Sequence, residues 1–194
     1  MIRNLEKLLE DRTSITEVLQ IATVQSNLGN THVFNLQRTV LSIMTYDILK
    51  CKADAGTYGF TKFFFYSEVK KRIIEISSDE EILKNKNRRA VFLVKNLRIS
   101  PEMIKIIGEK GAAVFLIDLY PLFKFYATKR GIYLSQMRKF LEFCVKYNAK
   151  YSFATFFEKE NEIRTPEEII DLLSLVGVNE GQTRFALEEL GKYF

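Results

Sequence analysis

The 194-residue sequence has no tryptophan, one histidine, two cysteines and three prolines. Each scarcity excludes something. With His32 alone, a histidine-based zinc site, an HExxH helix and any paired-histidine metal cluster are ruled out, and a Ser-His-Asp triad would have to use that one residue. CxxC, GxGxxG, GxxxxGK[ST] and GxSxG are all missing, which removes the usual redox, dinucleotide, P-loop and nucleophile-elbow readings. Cys51 and Cys144 lie far apart in the chain and are expected as buried thiols, not as a disulfide. No apolar run approaches the roughly 18 to 20 residues that span a bilayer, so no membrane association is expected. The opening residues Met1 to Lys7 mix acidic and basic groups and lack an apolar core, so an export signal is not expected either. Little proline and only nine glycines fit a folded chain. A soluble, cytoplasmic protein is the expectation.

What is present is charge, unevenly spread. The net charge is +5. Residues 1–59 are neutral in balance, residues 60–150 carry +10 and residues 151–194 carry −5. Such asymmetry suggests one face that attracts a polyanion and another that does not. The densest run is Lys84-Asn85-Lys86-Asn87-Arg88-Arg89, followed by Lys95 and Arg98. Asparagines between cations suit contacts to phosphate and sugar oxygens. A second cluster is Lys124, Lys129, Arg130, Arg138 and Lys139. A lysine-rich solvated surface would explain the same residues without any ligand.

From residue 60 onward short apolar runs alternate with amphipathic segments. Strands are expected at Lys62–Tyr66, Arg72–Ser77, Ala90–Val94, Ala112–Leu119 and Lys150–Thr155, with a further one at Tyr46–Lys50. AVFLV and AAVFLIDL are apolar on both faces, as in parallel strands covered on both sides. Ser78 to Glu81 reads as a capping box, and Ser100-Pro101 as a cap with proline in the first turn. Thr165 to Glu168 combines both signals, and Asn179 to Gln182 caps the last helix. Met137, Phe140, Leu141 and Cys144 make a helical stripe on a segment from about Leu134 to Tyr147. Repeated β-then-α units imply parallel strands with right-handed crossovers. An open doubly wound sheet and a small (β/α) barrel, complete or not, both satisfy that pattern. Residues 1–43 instead read as an N-terminal helical segment of two short amphipathic helices with a turn at Asn27–Thr31, either appended to the fold or integral to its sheet-covering layer. Residues 44–194 are expected to form a single (β/α) barrel-like domain.

The runs Ile117–Lys124 (IDLYPLFK), Arg130–Thr155 (RGIYLSQMRKFLEFCVKYNAKYSFAT) and Glu162–Gly177 (EIRTPEEIIDLLSLVG) resemble archaeal ribonuclease P protein component 3. That family is the counterpart of the thirty-kilodalton protein subunit of eukaryotic ribonuclease P. The likeness covers residues 115–190 well and 44–114 loosely, and does not extend to 1–43. It implies a TIM-like (β/α) barrel of the polymerase-and-histidinol-phosphatase type, without the metal-binding histidines of the enzymatic relatives. It also implies that the catalyst is an RNA, which removes the 5′ leader of precursor tRNA. The protein would bind and support that RNA, beside ribonuclease P protein component 2 and other ribonuclease P proteins. No cofactor would be bound by this chain, with Mg2+ expected for the RNA catalyst. Arg130, Arg138 and Arg164 match basic positions of the family, and charge alone adds Lys84, Lys86, Arg88, Arg89, Lys129 and Lys139. The sequence departs from the family at Ser152-Phe153-Ala154, where only the serine and alanine of a Ser-Ser-Gly-Ala-like run remain. Tyr120, Phe125, Tyr126 and Tyr133 are candidates for stacking on bases or a partner protein.

A different class of function stands beside it: a barrel enzyme acting on a small phosphorylated or otherwise anionic substrate. Its sites would lie where strands end. Asp118, Glu75 and Lys95 are the candidate acid, base and anion anchor. A pure protein-interaction scaffold is the third reading.

Overall fold

The computed structural model describes residues 44–194. The expected N-terminal helical segment, with its Asn27–Thr31 turn and His32, lies outside the described residues.

Six strands form where the apolar runs were expected: β1 Tyr46–Leu49, β2 Lys62–Phe65, β3 Ile73–Ile76, β4 Val91–Val94, β5 Val114–Asp118 and β6 Tyr151–Ala154. All paired strands are parallel. β1 pairs with β2, and β3, β4, β5 and β6 pair in that order. The two sheets meet just beyond β6, where Phe156 N–H donates to Ile48 O at 2.9 Å and Lys50 N–H to Phe157 O at 2.9 Å. No ladder joins β2 to β3 among the described residues, so the fold is α/β with parallel sheets and barrel closure is not seen.

Among the described residues seven helices accompany the strands: α1 Tyr66–Val69, α2 Asp79–Asn85, α3 Pro101–Lys110, α4 Tyr120–Lys124, α5 Ala127–Lys146, α6 Pro166–Ser174 and α7 Glu180–Gly191. The caps act as their side chains dictate. Ser100 Oγ accepts from Met103 N–H, and Thr165 and Glu168 satisfy each other's backbone donors at 2.9 and 3.3 Å. Asn179 and Gln182 do the same at 2.9 and 3.1 Å. Each such cap is worth about 1 kcal/mol. One boundary differs from expectation: α5 begins at Ala127, not near Leu134. Its first two turns are exposed and carry no apolar stripe, so periodicity could not reveal them.

The alternation of side chains across β4 and β5 divides the interior. Phe92, Val94, Phe115 and Ile117 join α3 and α5 through Ile104, Ile107, Met137 and Phe140. On the other face, Ile48, Phe64, Ile73, Leu93, Leu116 and Ala154 bring one residue from every strand into a second cluster, with Leu190 of α7. Cys144 is buried in the first cluster, while Cys51 is only half-buried, and both are free thiols. Desolvation pushes the Cys144 thiol well above its ordinary value.

Helix α3 crosses the end of α5 at Gly108. A Cβ there would lie 2.1 Å from the backbone oxygen of Tyr147. Glycine-to-alanine changes within helices ordinarily gain about 0.5–1 kcal/mol. Gly108→Ala is expected to invert that sign and cost roughly 1–3 kcal/mol, because two backbones must separate. A lower denaturant midpoint would bear this out, and a raised one would show that the crossing yields freely.

Candidate functional site

Parallel strands gather every strand-to-helix turn at one end of the sheets, and the chemistry of this chain concentrates there. Glu75, within β3, accepts from the Tyr66 hydroxyl at 3.1 Å and pairs with Lys95 Nζ, just past β4, at 3.2 Å. Lys50, following β1, pairs with Glu158 at 2.9 Å, which raises its ammonium above the ordinary lysine value. Asp118 ends β5. Its Oδ1 accepts from Tyr120 N–H at 2.8 Å, closing the turn into α4, and its backbone oxygen accepts the Tyr133 hydroxyl at 2.5 Å. Burial pushes the Asp118 carboxyl up to about 6, against the opposing pull of the Tyr120 N–H, Lys95 and Lys50. The three residues of the small-substrate reading, Asp118, Glu75 and Lys95, therefore share this rim.

Beneath them lies a carboxylate that sequence reasoning missed. Asp47 in β1 is 1% exposed. Its Oδ1 accepts from Ile48 N–H at 2.7 Å and Thr155 N–H at 2.9 Å, and its Oδ2 meets the Thr155 hydroxyl at 2.5 Å. Desolvation raises it to about 7 despite those bonds, with a smaller push from Asp118. The signal was a lone acid within Tyr-Asp-Ile-Leu, which reads as a strand whether or not the acid is buried. The next residue, Phe156, holds φ at 50°, a conformation bulky side chains rarely adopt. Asp47 thus ties β1 to a strained turn at the junction of the two sheets.

Of the nine cations expected to touch RNA, four lie at one end of the sheets and Lys129, Arg130 and Arg164 at the other, with Arg138 and Lys139 midway along α5. Lys84, Lys86, Arg88 and Arg89 precede β4, at the end opposite the rim. Lys84, Arg88 and Arg89 are exposed, and Lys86 is half-buried. Arg89 is partly engaged, donating to Lys192 O at 3.2 Å and lying 5.8 Å from the Tyr193 ring centre. Asn87 holds Lys110 through its side-chain oxygen. Lys129 and Arg130 stand in the first turn of α5, at the rim end. Arg130 Nε donates to Phe125 O at 3.0 Å, and the residue that follows, Tyr126, is 81% exposed. Lys139 is exposed midway along α5. Arg164 follows β6 and lies 5.9 Å from the Phe123 ring centre.

Arg138 has a structural occupation. It donates to Leu175 O at 3.0 Å and Val176 O at 3.3 Å, the carbonyls that close α6. Arg138→Ala is expected to destabilise by roughly 1.5–3 kcal/mol, since charge-assisted bonds to helix-end carbonyls are lost. It is expected to leave any salt dependence of RNA binding unchanged. Denaturation and salt titration of one variant separate the two roles.

Of the stacking candidates, Tyr133 is turned inward. Its phenol is bonded to Asp118 O, its ring meets Phe125 edge-on at 6.0 Å, and burial raises its pKa strongly. Tyr120 is half-buried, whereas Phe125 and Tyr126 are exposed. Beside them Phe123, Lys124, Phe157, Asn161, Glu162 and Arg164 line a cleft of about 230 Å3. Among the described residues no group of three or more His, Cys, Asp or Glu side chains is placed to hold a metal, and no helix is long and apolar enough to cross a membrane. Comparison with protein-family models and with curated proteins gave no match.

Proposed function

We propose that this chain is a non-catalytic, RNA-binding protein subunit of ribonuclease P. It supports the RNA that removes 5′ leaders from precursor tRNA, beside protein component 2 and the other ribonuclease P proteins. One observation carries the reading: at the strand C-terminal end, Lys124 lies against the Tyr120 ring, Arg164 against the Phe123 ring and Arg130 on the Phe125 carbonyl, in the same turn of chain as the exposed Phe125 and Tyr126. Cations interleaved with an exposed ring suit a strand of phosphates with unstacked bases. The sequence likeness at Ile117–Lys124 and beyond supports the same assignment. The interior cluster drawing on all six strands is what a TIM-like (β/α) barrel of the polymerase-and-histidinol-phosphatase type would contain, with the β2–β3 edge as its open seam. Arg138 contributes to folding and not to the contact surface.

The test is to isolate the tagged full-length protein gently from its own host and sequence the RNA that accompanies it. One strongly enriched structured RNA, with cleavage of precursor tRNA in the same fraction, is the expected result. Absence of any enriched RNA at low salt would remove the assignment.

A second reading has its own observation. Asp118, Glu75 and Lys95 come from three different strand ends and share one rim, with Lys50 close enough to act on Asp118. A carboxyl raised to about 6, within the field of two ammonium groups, could hold and protonate a small phosphorylated or other anionic substrate. Turnover of such a compound by the isolated protein, abolished by Asp118→Asn, would favour it over the RNA-binding reading.

A further inference from the structure

At the end opposite the rim the strands are entered from cations. Lys62 opens β2, Lys71 and Arg72 precede β3, Arg88 and Arg89 precede β4, and Lys110 ends α3 ahead of β5. All six are exposed. Their contacts draw them to one place. Arg72 donates to Phe194 O at 3.4 Å and Arg89 to Lys192 O at 3.2 Å. Lys62 Nζ lies 5.0 Å from the centre of the Phe64 ring, which in turn meets the Phe194 ring at 5.1 Å. Lys110 is bonded to the side chain of Asn87, the residue before Arg88.

The two ends differ in how their cations are neutralised. At the rim Lys50, Lys95 and Lys124 pair with Glu158, Glu75 and Glu162. At the opposite end Glu189 is shared by Lys150 and Lys192, and among the described residues none of the six cations above is in an ion pair. Six like charges gathered without a counter-charge repel one another, and a polyanion relieves that repulsion.

Geometry defines the polyanion. Ile73, Val91 and Val114 stand level in the ladders. With parallel strands roughly 4.8 Å apart, the cations entering β3, β4 and β5 spread over about 10 Å, which outspans a single phosphate and suits successive phosphates of a polymer. Each arginine uses one donor on a backbone carbonyl, which fixes the guanidinium and leaves its other N–H groups for phosphate oxygens. The rings beneath are already occupied. Phe64 is buried, Phe194 is half-buried against it, and half-buried Tyr193 lies 5.8 Å from the Arg89 guanidinium. They shelve the cations and do not present a stacking platform as Tyr126 does at the rim. Double-helical RNA needs no such platform, because it is recognised by shape and through its phosphates and hydroxyls.

We infer that the strand N-terminal end of the domain is a second RNA surface, which takes the phosphate backbone of a double-helical segment without reading its sequence. The inference rests on the RNA-binding reading and divides it between two ends. Cations with exposed rings serve single strands at the rim, and cations over packed rings serve a helix at the other end.

The experiment uses the full-length protein with a labelled RNA duplex of about 20 base pairs, longer than the footprint of a typical duplex-binding domain, and a labelled single strand of the same length. Binding is read by fluorescence anisotropy, and ribonuclease P RNA is titrated in parallel. Lys71→Gln with Arg88→Gln removes two side chains that make no hydrogen bond among the described residues. This variant is expected to bind the duplex roughly tenfold more weakly at low salt, to flatten its salt slope by about 1.8, and to leave single-strand affinity within about twofold. Lys129→Ala with Arg130→Ala is expected to show the reverse pattern. A second duplex of different sequence is expected to bind equally well. Unaltered duplex affinity in Lys71→Gln with Arg88→Gln, an equal loss on the single strand, or a marked preference between duplexes overturns the assignment. Displacement of the duplex by polyglutamate at equal charge also overturns it, since it would mark a surface for an acidic protein. If the duplex fails to bind while ribonuclease P RNA binds and responds to the rim variant, this surface falls and the RNA-binding reading stands. If no RNA binds at low salt, both fall together.

Discussion

Stability is expected to fall as pH rises from about 4 to 7, and replacing Asp47 by asparagine is expected to abolish most of that fall. The direction follows from linkage. The folded-state carboxyl is raised from 3.8 to about 7 by burial, so between those values the folded chain holds a proton that the unfolded chain has released. Stability is therefore greatest on the acid side of this window and declines as pH passes through about 7. At 1.36 kcal/mol per pH unit the full span amounts to on the order of 4 kcal/mol. Asparagine preserves the geometry. Its oxygen can accept from Ile48 N–H and Thr155 N–H as Oδ1 does, and its amide can donate to the Thr155 hydroxyl. The variant is expected to be more stable than the parent at pH 8 and to lack the decline. A shallower residual slope between about 4 and 6 would remain from Asp118, which is raised to about 6. Asp47→Ala is the contrasting case, because two buried N–H groups and a hydroxyl lose their acceptor at roughly 1–3 kcal/mol each. Denaturant titrations from pH 4 to 8 on the three proteins decide it. An unaltered slope in Asp47→Asn would mean that Asp47 is ionised in the folded protein throughout.

Removing both rim cations, Lys129→Ala with Arg130→Ala, is expected to lower RNA affinity roughly tenfold or more at low salt. It should also flatten the dependence of log affinity on log salt by about 1.5. Each phosphate neutralised contributes about 0.7 to that slope on single strands and 0.9 on duplexes. The same change at the other end of the sheets, Lys84→Ala with Arg88→Ala, is the internal comparison. A contact surface confined to the rim leaves the slope of that second variant unaltered. Equal flattening in both would require an RNA that reaches around the domain, since the two groups flank opposite ends of the parallel strands. No change in the rim variant would remove Lys129 and Arg130 from the contact surface. Both pairs are exposed, and of the four side chains Arg130 bonds outside its own helix, to the Phe125 carbonyl that ends α4, so stability is expected to fall by about 1 kcal/mol or less.

The elements legible in the sequence were those whose signal is local. AVFLV and AAVFLIDL become β4 and β5 because a run apolar on both faces is stable only when both are covered. Ser100, Thr165 and Asn179 start helices because their side chains reach the donors two or three residues ahead. The short helices α1 and α4 gave no periodicity to read, and α5 hides its first two turns in polar sequence. For the candidate site the division is sharper. Asp118, Glu75 and Lys95 could be named from strand ends and charge, and Arg164 from the family resemblance. Asp47 could not, because an acid in a strand reads as solvent-facing until the register puts it against Thr155.

The sequence by itself determined a parallel α/β chain, its strand positions, its capped helices and the absence of a histidine metal site. Those depend on residue type and spacing within a dozen positions. Tertiary structure alone decided which cations share an end of the sheets, that Arg138 closes α6, that Glu162 and Arg164 line a cleft with Phe123, and that Asp47 is buried where the sheets meet. Each of these depends on pairs such as Asp47 with Thr155 or Arg138 with Leu175, far apart in the chain, and only the packed fold brings their partners within hydrogen-bonding distance.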